Sequence, residues 1–384
     1  MAKTGGEWKT PMTDNGSWEN WMRRALELAR RAWGETHPNP MVGALIIEEG
    51  KIVAEGWHAR SGELHAERVA LNNLERKPKP DATMVVTLEP CSTHGRTGAC
   101  CEAIARAGIA RVIVGAEDPF AGHAGNGFAV LRQSGVEVIS GILAEECADL
   151  NLIFNHWIVR REPFVALKTA TSLDGRIASR HGESQWITGA TARADVMRWR
   201  RYFPAIATSS GTVLADNPRL TSRCEGAEEW CPVRFVFDRR LRTAERLDLH
   251  VFSDAWREKT VVVTAAQAAE ERRDVLKKNG VAVWALPVAT EQDFFCAFKN
   301  RCAEENLPGV WVEGGGTFLG SWLKSGAADY LYQYVAPTIF ADEKAIPAFS
   351  GSETDLGNLF RVNRLKYEKL GSDSLLRGHL EIGN

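Results

Sequence analysis

The chain has 384 residues, of which 44% are hydrophobic, and its formal net charge at pH 7 is -2. This length predicts two or three globular domains, and the charge excludes a general electrostatic attraction to nucleic acid or to an anionic membrane. No apolar run is long enough to cross a membrane. From the charge and from this absence we expect no nucleic-acid partner and no membrane partner.

The first sixteen residues differ in character from the rest of the chain. Residues 1–16 are polar, contain glycine and lack the apolar core of a signal peptide. They predict a loose N-terminal tail in front of the first domain.

Residues 17–160 alternate helical and extended patterns. The spacing of apolar residues predicts helices over residues 21–32, 65–74, 102–107, 128–133 and 145–159. Short apolar or β-branched runs predict strands over residues 42–47, 52–54, 84–88, 111–115 and 136–139. Helices interleaved with mostly parallel strands indicate a three-layer α/β sandwich.

The most informative feature of this segment is the tripeptide HAE at 65–67, with a Pro-Cys pair at 90–91 and a further cysteine at 100. An imidazole and two thiolates suit zinc, and three protein ligands leave the fourth tetrahedral position open, as in catalytic sites. Zinc lowers the pKa of bound water to about 7. We expect His65, Cys91 and Cys100 to bind Zn²⁺, while Glu67 carries protons.

Other interpretations of these residues stay open at this point. A helical histidine is most often a packing or hydrogen-bonding partner, and cysteine is commonly buried in a core. Cys101 could replace Cys100 as the third ligand, because it is the next residue. The complete arrangement is close to the H-x-E…P-C-x-x-C signature of zinc deaminases, with a longer loop between the cysteines. It favours catalytic zinc over a structural or accidental cluster.

A second segment begins after the run Arg-Arg-Glu-Pro at 160–163, so we expect a zinc-binding domain over 17–160 and another domain over 161–384. Strands are predicted over residues 164–167, 233–237, 260–264, 281–286, 310–312 and 331–336. Helical stretches lie between several of them, which again predicts an α/β fold.

Three glycines at 314–316 separate a predicted strand from a helix that starts near Thr317. Such a turn lets backbone N–H groups approach a phosphate, and the helix N-terminus adds a partial positive charge. Glycines of this kind often only form a tight turn, and the pattern is not the G-x-G-x-x-G of a Rossmann site. Taken alone, they favour the tight turn.

Six motifs occur in the order found in one known family. They are THPNPMVG at 36–43, HAE at 65–67, LEPCSTHGRT at 88–97, KTATSLDG at 168–175, GESQWIT at 182–188 and TVLADNP at 212–218. The chain resembles the bifunctional riboflavin-biosynthesis deaminase–reductases, from about Trp18 to near the C-terminus. The resemblance implies a cytidine-deaminase-like first domain and a dihydrofolate-reductase-like second domain.

The resemblance also implies cofactors and contacts. Besides Zn²⁺, the cofactor would be NADPH, and its contacts would be Ala170, Trp186, Thr212, Asp216, Gly315, Gly316, Thr317, Phe318, Leu319, Gly320 and Ser321. Substrate contacts would be Asn39, Ser184, Arg200, Leu220, Arg223 and Glu313. Guanidinium groups match phosphate oxygens, so the two arginines could hold a ribose phosphate.

The implied activity has two steps on a small phosphoribosyl pyrimidine. The first is zinc-dependent hydrolytic deamination of 2,5-diamino-6-(5-phosphoribosylamino)pyrimidin-4(3H)-one. The second is NADPH-dependent reduction of the ribosyl group, which gives 5-amino-6-(5-phosphoribitylamino)uracil. Thiolate ligands suit a reducing compartment, so we expect a cytoplasmic enzyme, and we also expect a homo-oligomer.

Two places invite separate hypotheses. His94 and Arg96, in the loop between the cysteines, could reach a substrate phosphate. Arg239 follows Asp238 where the family often has a small hydroxyl residue, which puts one cofactor contact in doubt, although an arginine could still meet the NADPH phosphate.

Two rival functions remain. One is a zinc base or nucleoside deaminase with a single activity and an accessory C-terminal domain, which NADPH titration would distinguish. The other is a non-enzymatic protein stabilised by zinc, which a metal assay coupled to ammonia release would distinguish.

Overall fold

The computed structural model describes residues 15–93, 98–351, 355–356 and 358–382. They divide into two compact units, with the boundary between Val159 and Arg160. In this part of the chain, no helix combines the length and the apolar character that a membrane span needs.

The first unit alternates helices and strands. Its helices are α1 (Asn15–Ala29), α2 (Ala66–Asn73), α3 (Cys100–Ala107), α4 (Asn126–Gln133), α5 (Ala144–Leu150) and α6 (Leu152–Arg160), with a 3-10 turn at Arg30–Ala32. Its strands are β1 (Gly43–Glu48), β2 (Lys51–Trp57), β3 (Thr83–Leu88), β4 (Arg111–Ala116) and β5 (Glu137–Ser140). Helix α1 begins six residues before the predicted start. Residues 1–14 of the expected tail lie outside the described residues.

The five strands form one mixed sheet in the order β2-β1-β3-β4-β5. Strand β1 is antiparallel to both β2 and β3, while β3, β4 and β5 are parallel to one another. The expectation of mostly parallel strands therefore holds only for one half of the sheet.

Two glycines show that helices cover both faces of this sheet. A Cβ on Gly43 would collide with the carbonyl of Ala25 in α1, and one on Gly56 would collide with the carbonyl of Ala66 in α2. Ala44 pairs with Gly56 across the strands, so Gly43 belongs to the opposite face. Helices α1 and α2 thus pack on opposite faces, and the unit has three layers.

The single helix predicted over 145–159 was wrong. Asn151 separates α5 from α6 with a non-helical backbone. Its side-chain oxygen accepts a hydrogen bond from the Met41 amide at 2.8 Å, and its Nδ2 donates to the Met41 carbonyl at 2.9 Å. The side chain at the break thus satisfies both backbone groups of a residue far away in sequence.

The second unit has helices α7 (Ala190–Tyr202), α8 (Ser210–Asp216), α9 (His250–Ser253), α10 (Glu270–Lys278), α11 (Glu291–Glu304) and α12 (Gly316–Lys324), with 3-10 turns at Arg242–Glu245 and Arg257–Lys259. Its strands are β6 (Phe164–Thr171), β7 (Arg176–Ala178), β8 (Ala205–Ser209), β9 (Val233–Phe237), β10 (Thr260–Ala265), β11 (Ala282–Leu286), β12 (Gly309–Glu313), β13 (Tyr330–Val335), β14 (Ile346–Pro347), β15 (Phe360–Leu370) and β16 (Asp373–Ile382).

Nine of these strands form a sheet in the order β11-β10-β9-β8-β12-β6-β13-β16-β15. The strands from β11 to β13 are parallel, and the hairpin β15–β16 closes one side in antiparallel pairing. Strand β12 returns into the gap between β8 and β6. In open α/β sheets, ligands bind beyond the carboxyl ends of strands near such a reversal of strand order. The loop after β12 occupies that position.

Sequence patterns missed several strands of this unit. Strand β8 is short and contains two alanines, which are weak signals of a buried strand. The hairpin β15–β16 was missed because β15 is rich in charged residues. Its charges reflect its position at the edge of the sheet, where one side of the strand is unpaired.

Candidate active sites

Three elements of the first unit bring the predicted metal ligands together. His65 is the N-cap residue of α2, Cys91 follows β3 after Glu89-Pro90, and Cys100 opens α3. Their ligand atoms all lie within 4.8 Å of one another. His65 Nδ1 is 3.6 Å from Cys91 Sγ and 3.3 Å from Cys100 Sγ.

These distances fit zinc. A tetrahedral ion with the usual Zn–N and Zn–S bond lengths places nitrogen and sulfur about 3.6 Å apart. Hydrogen bonds from Cys100 and His65 lower the pKa of the Cys91 thiol to about 4, so this sulfur is poised as a thiolate ligand. With three protein donors, the group leaves a tetrahedral position open for a reacting molecule.

Cys101, the alternative third ligand, points elsewhere. Its thiol donates to the carbonyl of Pro90 at 3.0 Å and is 3.5 Å from the carbonyl of Gly127. It belongs to the contact between α3 and the start of α4. The geometry therefore favours Cys100 over Cys101 as the ligand.

Glu67 is buried in the first turn of α2 and is not part of the group of converging ligand atoms. Burial raises the pKa of its carboxyl, and the negative charge of Cys91 adds to that effect. A raised pKa suits a group that must take up and release a proton near neutral pH.

Asn39 contacts a residue that the sequence did not single out. Its Nδ2 lies 3.1 Å from His58 Nε2, and His58 Nδ1 lies 3.0 Å from the carbonyl of Leu64. A carbonyl can only accept, so Nδ1 carries the proton and Nε2 accepts from the Asn39 amide. Burial lowers the pKa of His58, which favours this neutral form. Its ring packs edge-on against that of His65, with the centroids 5.5 Å apart.

Glu89 is a second residue that sequence analysis missed. Its buried carboxylate accepts hydrogen bonds from the backbone amides of Asp118, Gly125 and Gly127. It thereby ties the loop before α4 to the segment that carries Cys91. The available signal was a glutamate directly after a buried strand and two residues before a ligand. The hypothesis on His94 and Arg96 concerns residues outside the described ones.

In the second unit, several of the predicted cofactor contacts follow the carboxyl ends of parallel strands. Ala170 lies near the end of β6, Thr212 and Asp216 lie in α8 directly after β8, and the three glycines follow β12. Trp186 is 70% exposed, and the guanidinium of Arg193 lies 4.6 Å from the centre of its ring. Its exposure argues against a core role for this tryptophan.

The glycine turn offers one open position. Gly315 is the N-cap residue of α12, and a Cβ there would meet nothing within 4 Å. A Cβ on Gly316 would instead collide with the carbonyl of Pro347, and one on Gly320 with that of Ser350. A phosphate could therefore approach the helix N-terminus at Gly315, while the other two glycines permit close packing. This open cradle fits a dinucleotide.

In the first half of α12, some side chains pack in the core and others form polar contacts. Leu319 is fully buried in the core and Phe318 packs against it. Thr317 Oγ1 lies 3.3 Å from Ser350 Oγ, and Ser321 donates to the Thr317 carbonyl. Any cofactor contact of Leu319 would have to use its backbone.

Two predicted substrate contacts, Arg200 and Glu313, form a buried ion pair. Arg200 in α7 donates through Nε and Nη2 to the two carboxylate oxygens of Glu313, each at 2.8 Å. Burial would raise the pKa of Glu313, but the positive charges of Arg200 and Lys168 outweigh it and lower this pKa to about 2. Lys168 Nζ is 4.0 Å from Glu313, a neighbour that sequence analysis did not single out.

Arg200 also connects to the loop that carries Leu220 and Arg223. Its Nη1 donates to the carbonyl of Thr221 at 3.1 Å, and Arg223 donates to the Thr221 hydroxyl at 2.7 Å. The side chain of Arg223 is 45% exposed and that of Arg200 only 11%. Of the two arginines expected to hold a phosphate, Arg223 is the accessible one. Arg200 holds the loop in place.

Both units of the chain match known protein families. Residues 16–116 match the cytidine and deoxycytidylate deaminase zinc-binding region, and residues 163–376 match the RibD C-terminal domain. The riboflavin biosynthesis protein RibD of Actinobacillus pleuropneumoniae is 38% identical over 93% of this chain and 94% of its own length. That of Escherichia coli K12 is also 38% identical, over 87% of this chain and 92% of its own. This chain belongs to the RibD family.

Solved RibD structures match nearly the whole length of the chain. A deaminase/reductase from Thermotoga maritima is 33% identical, with a TM-score of 0.78 over 95% of this chain and 99% of its own. RibD from Acinetobacter baumannii is 32% identical, with the same TM-score over 96% of this chain and all of its own. The resemblance identified from the six motifs is confirmed, as is an α/β fold with a cytidine-deaminase-like domain followed by a RibD reductase domain.

Membership of the RibD family establishes a bifunctional enzyme. It combines a zinc-dependent deaminase with an NADPH-dependent reductase of riboflavin biosynthesis, and it acts on a small molecule. The single-activity deaminase and the non-enzymatic zinc protein are thereby set aside.

Proposed function

We propose that the domain over 17–160 deaminates 2,5-diamino-6-(5-phosphoribosylamino)pyrimidin-4(3H)-one and that the domain over 161–384 reduces the product to 5-amino-6-(5-phosphoribitylamino)uracil. The Thermotoga maritima relative carries the corresponding two activities in its name. The observation that carries the first step is the convergence of His65, Cys91 and Cys100 beside a buried Glu67 that stays outside the ligand group.

In the deaminase site, His65, Cys91 and Cys100 would hold the zinc ion. When bound, zinc supplies a Lewis acid that makes water a nucleophile near neutral pH. Glu67 accepts a proton from the attacking water and delivers it to the amino nitrogen at C2 of the ring. The C–N bond breaks, ammonia leaves and the carbonyl forms. Asn39, held by His58, would position the ring through a hydrogen bond.

In the reductase site, NADPH would lie along the carboxyl edge of the sheet with a phosphate at Gly315 and Gly316. When bound, NADPH would supply a hydride to the ribose carbon attached to the amino nitrogen, while the bond from that carbon to the ring oxygen breaks and this oxygen takes up a proton. The backbone from Thr317 to Ser321, together with Ala170, Trp186, Thr212 and Asp216, would complete the cofactor site. Support comes from the open space at Gly315 and from the exposure of Trp186.

The substrate contacts of the reductase would be Ser184, Leu220, Arg223 and the Arg200–Glu313 pair. Arg223 has the exposure needed to meet the substrate phosphate, and the ion pair fixes the loop beneath it. Arg239 has its own partners, since it pairs with Glu291 at 2.8 Å and lies over the Phe294 ring. We assign it no direct cofactor contact. A cytoplasmic homo-oligomer is the expected form of the enzyme.

One experiment tests both steps separately. The zinc-loaded protein is incubated with the pyrimidine substrate, with and without NADPH, while ammonia and NADP⁺ are measured independently. We expect ammonia in both reactions and NADP⁺ only when substrate and NADPH are both present. Ammonia release without any substrate-dependent NADP⁺ formation would reject the reductase assignment.

A further inference from the structure

Arg68 is a cation beside the metal site that the mechanism above does not use. It follows Glu67 in the first turn of α2, the helix that His65 caps. Its Nη2 lies 3.4 Å from the position that a Cβ on Gly98 would occupy. The guanidinium therefore lies between the helix that carries His65 and the segment that leads into Cys100.

The guanidinium has no partner within the part of the chain that the structure describes. Its Nε is buried and meets no hydrogen-bond acceptor there, and Arg68 forms no ion pair with a described carboxylate. Five other arginines of this unit form ion pairs, namely Arg23 with Glu19, Arg24 with Glu55, Arg76 with Glu48, Arg106 with Glu102 and Arg111 with Glu137.

Arg68 is half-buried, and its buried Nε lacks an acceptor. This is costly, because the lost hydration of that N–H group is not replaced. An anion that binds to the guanidinium would supply the missing acceptor. Guanidinium donors are arranged in a planar fork that matches two oxygens of a phosphate. The proposed substrate carries a phosphate, and Arg68 lies beside the site where its ring would react.

We propose that Arg68 binds the phosphate of the deaminase substrate. The inference rests on the proposed function, because it takes a phosphoribosyl pyrimidine as the substrate. Arg68 contributes to binding and takes no part in the transfer of protons. It distinguishes the phosphorylated substrate from its dephosphorylated counterpart.

A different role for Arg68 would be to balance the negative charge of the two cysteine thiolates. That role predicts changes in zinc affinity and in kcat that are the same for every substrate. Phosphate binding predicts a change in KM that depends on the phosphate. The two roles therefore separate in one set of measurements.

The experiment compares the full-length, zinc-loaded chain with the variants Arg68→Gln, Arg68→Lys and Arg106→Gln. Arg106 lies in α3 with its side chain 71% exposed, and its variant controls for the loss of one positive charge. Ammonia release is measured with the phosphorylated substrate and with the same compound lacking the phosphate. Zinc content is measured for each protein.

We expect Arg68→Gln to raise KM for the phosphorylated substrate about 10- to 100-fold, as for the loss of a hydrogen bond to a charged group. KM for the dephosphorylated compound, kcat and zinc content should stay unchanged, as should all values for Arg106→Gln. For Arg68→Lys, KM for the phosphorylated substrate should lie between the values of the unmodified protein and Arg68→Gln, because lysine keeps the charge but lacks the planar pair of donors. Equal effects on both compounds, or none, overturn the proposal.

A second measurement separates this proposal from the proposed function. Binding of inorganic phosphate to the zinc-loaded chain is measured by calorimetry for the unmodified protein, Arg68→Gln and Arg68→Lys. If the unmodified protein releases no ammonia, the proposed function fails, yet weaker phosphate binding by both variants still supports Arg68. Unchanged phosphate binding overturns the role of Arg68 whatever the activity. If Arg68→Gln does not fold, Arg68→Lys provides the comparison.

Discussion

Arg200 and Glu313 form a buried, two-pronged ion pair between helix α7 and the carboxyl end of strand β12. The Trp311 indole N–H also donates to Glu313, at 2.6 Å. The pair joins elements that are far apart in sequence, just before the glycine turn. It thus fixes the substrate loop at Thr221 relative to the expected phosphate cradle.

Glu313→Gln should destabilise the second unit, because it leaves the buried Arg200 without its counter-charge. The expected loss in the free energy of unfolding is about 3–5 kcal/mol at neutral pH, as for other buried pairs that lose one partner. Chemical denaturation of both proteins would measure it. A loss below about 1 kcal/mol would show that water replaces the carboxylate.

The same pair predicts the pH dependence of stability. The folded-state pKa of Glu313 is about 2, below its ordinary value of 4.5, so its contribution is complete above about pH 4.5 and disappears as the pH falls through 2. The stability difference between the unmodified protein and Glu313→Gln should therefore be constant at neutral pH and shrink between pH 4.5 and 2. A difference independent of pH over that window would contradict the ion pair.

Glu67→Gln should abolish deamination and leave the other activity intact. The amide has nearly the same shape but cannot accept the proton, so kcat for ammonia release should fall about 100- to 10,000-fold. Zinc content should not change, because Glu67 is outside the ligand group. Reduction of the separately supplied deaminated intermediate should continue. Loss of both activities in a folded variant would contradict separate sites.

Cys100→Ser and Cys101→Ser form a matched pair of variants. Cys100→Ser should lose bound zinc and deaminase activity, because a hydroxyl is a poor zinc ligand beside His65 and Cys91. Cys101→Ser should keep both, since serine can still donate to the carbonyls of Pro90 and Gly127. Metal content by elemental analysis distinguishes the two, and the reverse outcome would assign Cys101 as the ligand.

Gly315→Ala should weaken NADPH binding, whereas Gly316→Ala should lower the stability of the protein. At Gly315 an added Cβ has open space in the protein, so stability should be kept, but it would crowd a bound phosphate and weaken NADPH binding about three- to tenfold. At Gly316 the Cβ collides with the carbonyl of Pro347, which should cost about 1–3 kcal/mol of stability. NADPH fluorescence titration and thermal unfolding would measure both. Normal NADPH binding by Gly315→Ala would place the phosphate elsewhere.

Several elements were predictable because their signals are local. The hairpin β1–β2, the helix that His65 opens and the strand before Cys91 follow from short patterns of apolar residues. Strand β8 and the hairpin β15–β16 were not predictable in this way, because alanines and charged residues are placed there by their neighbours in the sheet. At the break between α5 and α6, the side chain of Asn151 binds Met41, a partner 110 residues away that no local pattern shows.

The sequence alone determined the chemistry, since only a few residue types bind zinc or carry protons and their order along the chain is distinctive. The tertiary structure decided which side chains meet. Cys100 and Cys101 are adjacent in sequence, yet successive residues of a helix point about 100° apart, so only Cys100 reaches His65. Likewise Arg200 and Arg223 are both cations in the sequence. Burial against Glu313 fixes the position of Arg200 and leaves Arg223 as the more accessible of the two.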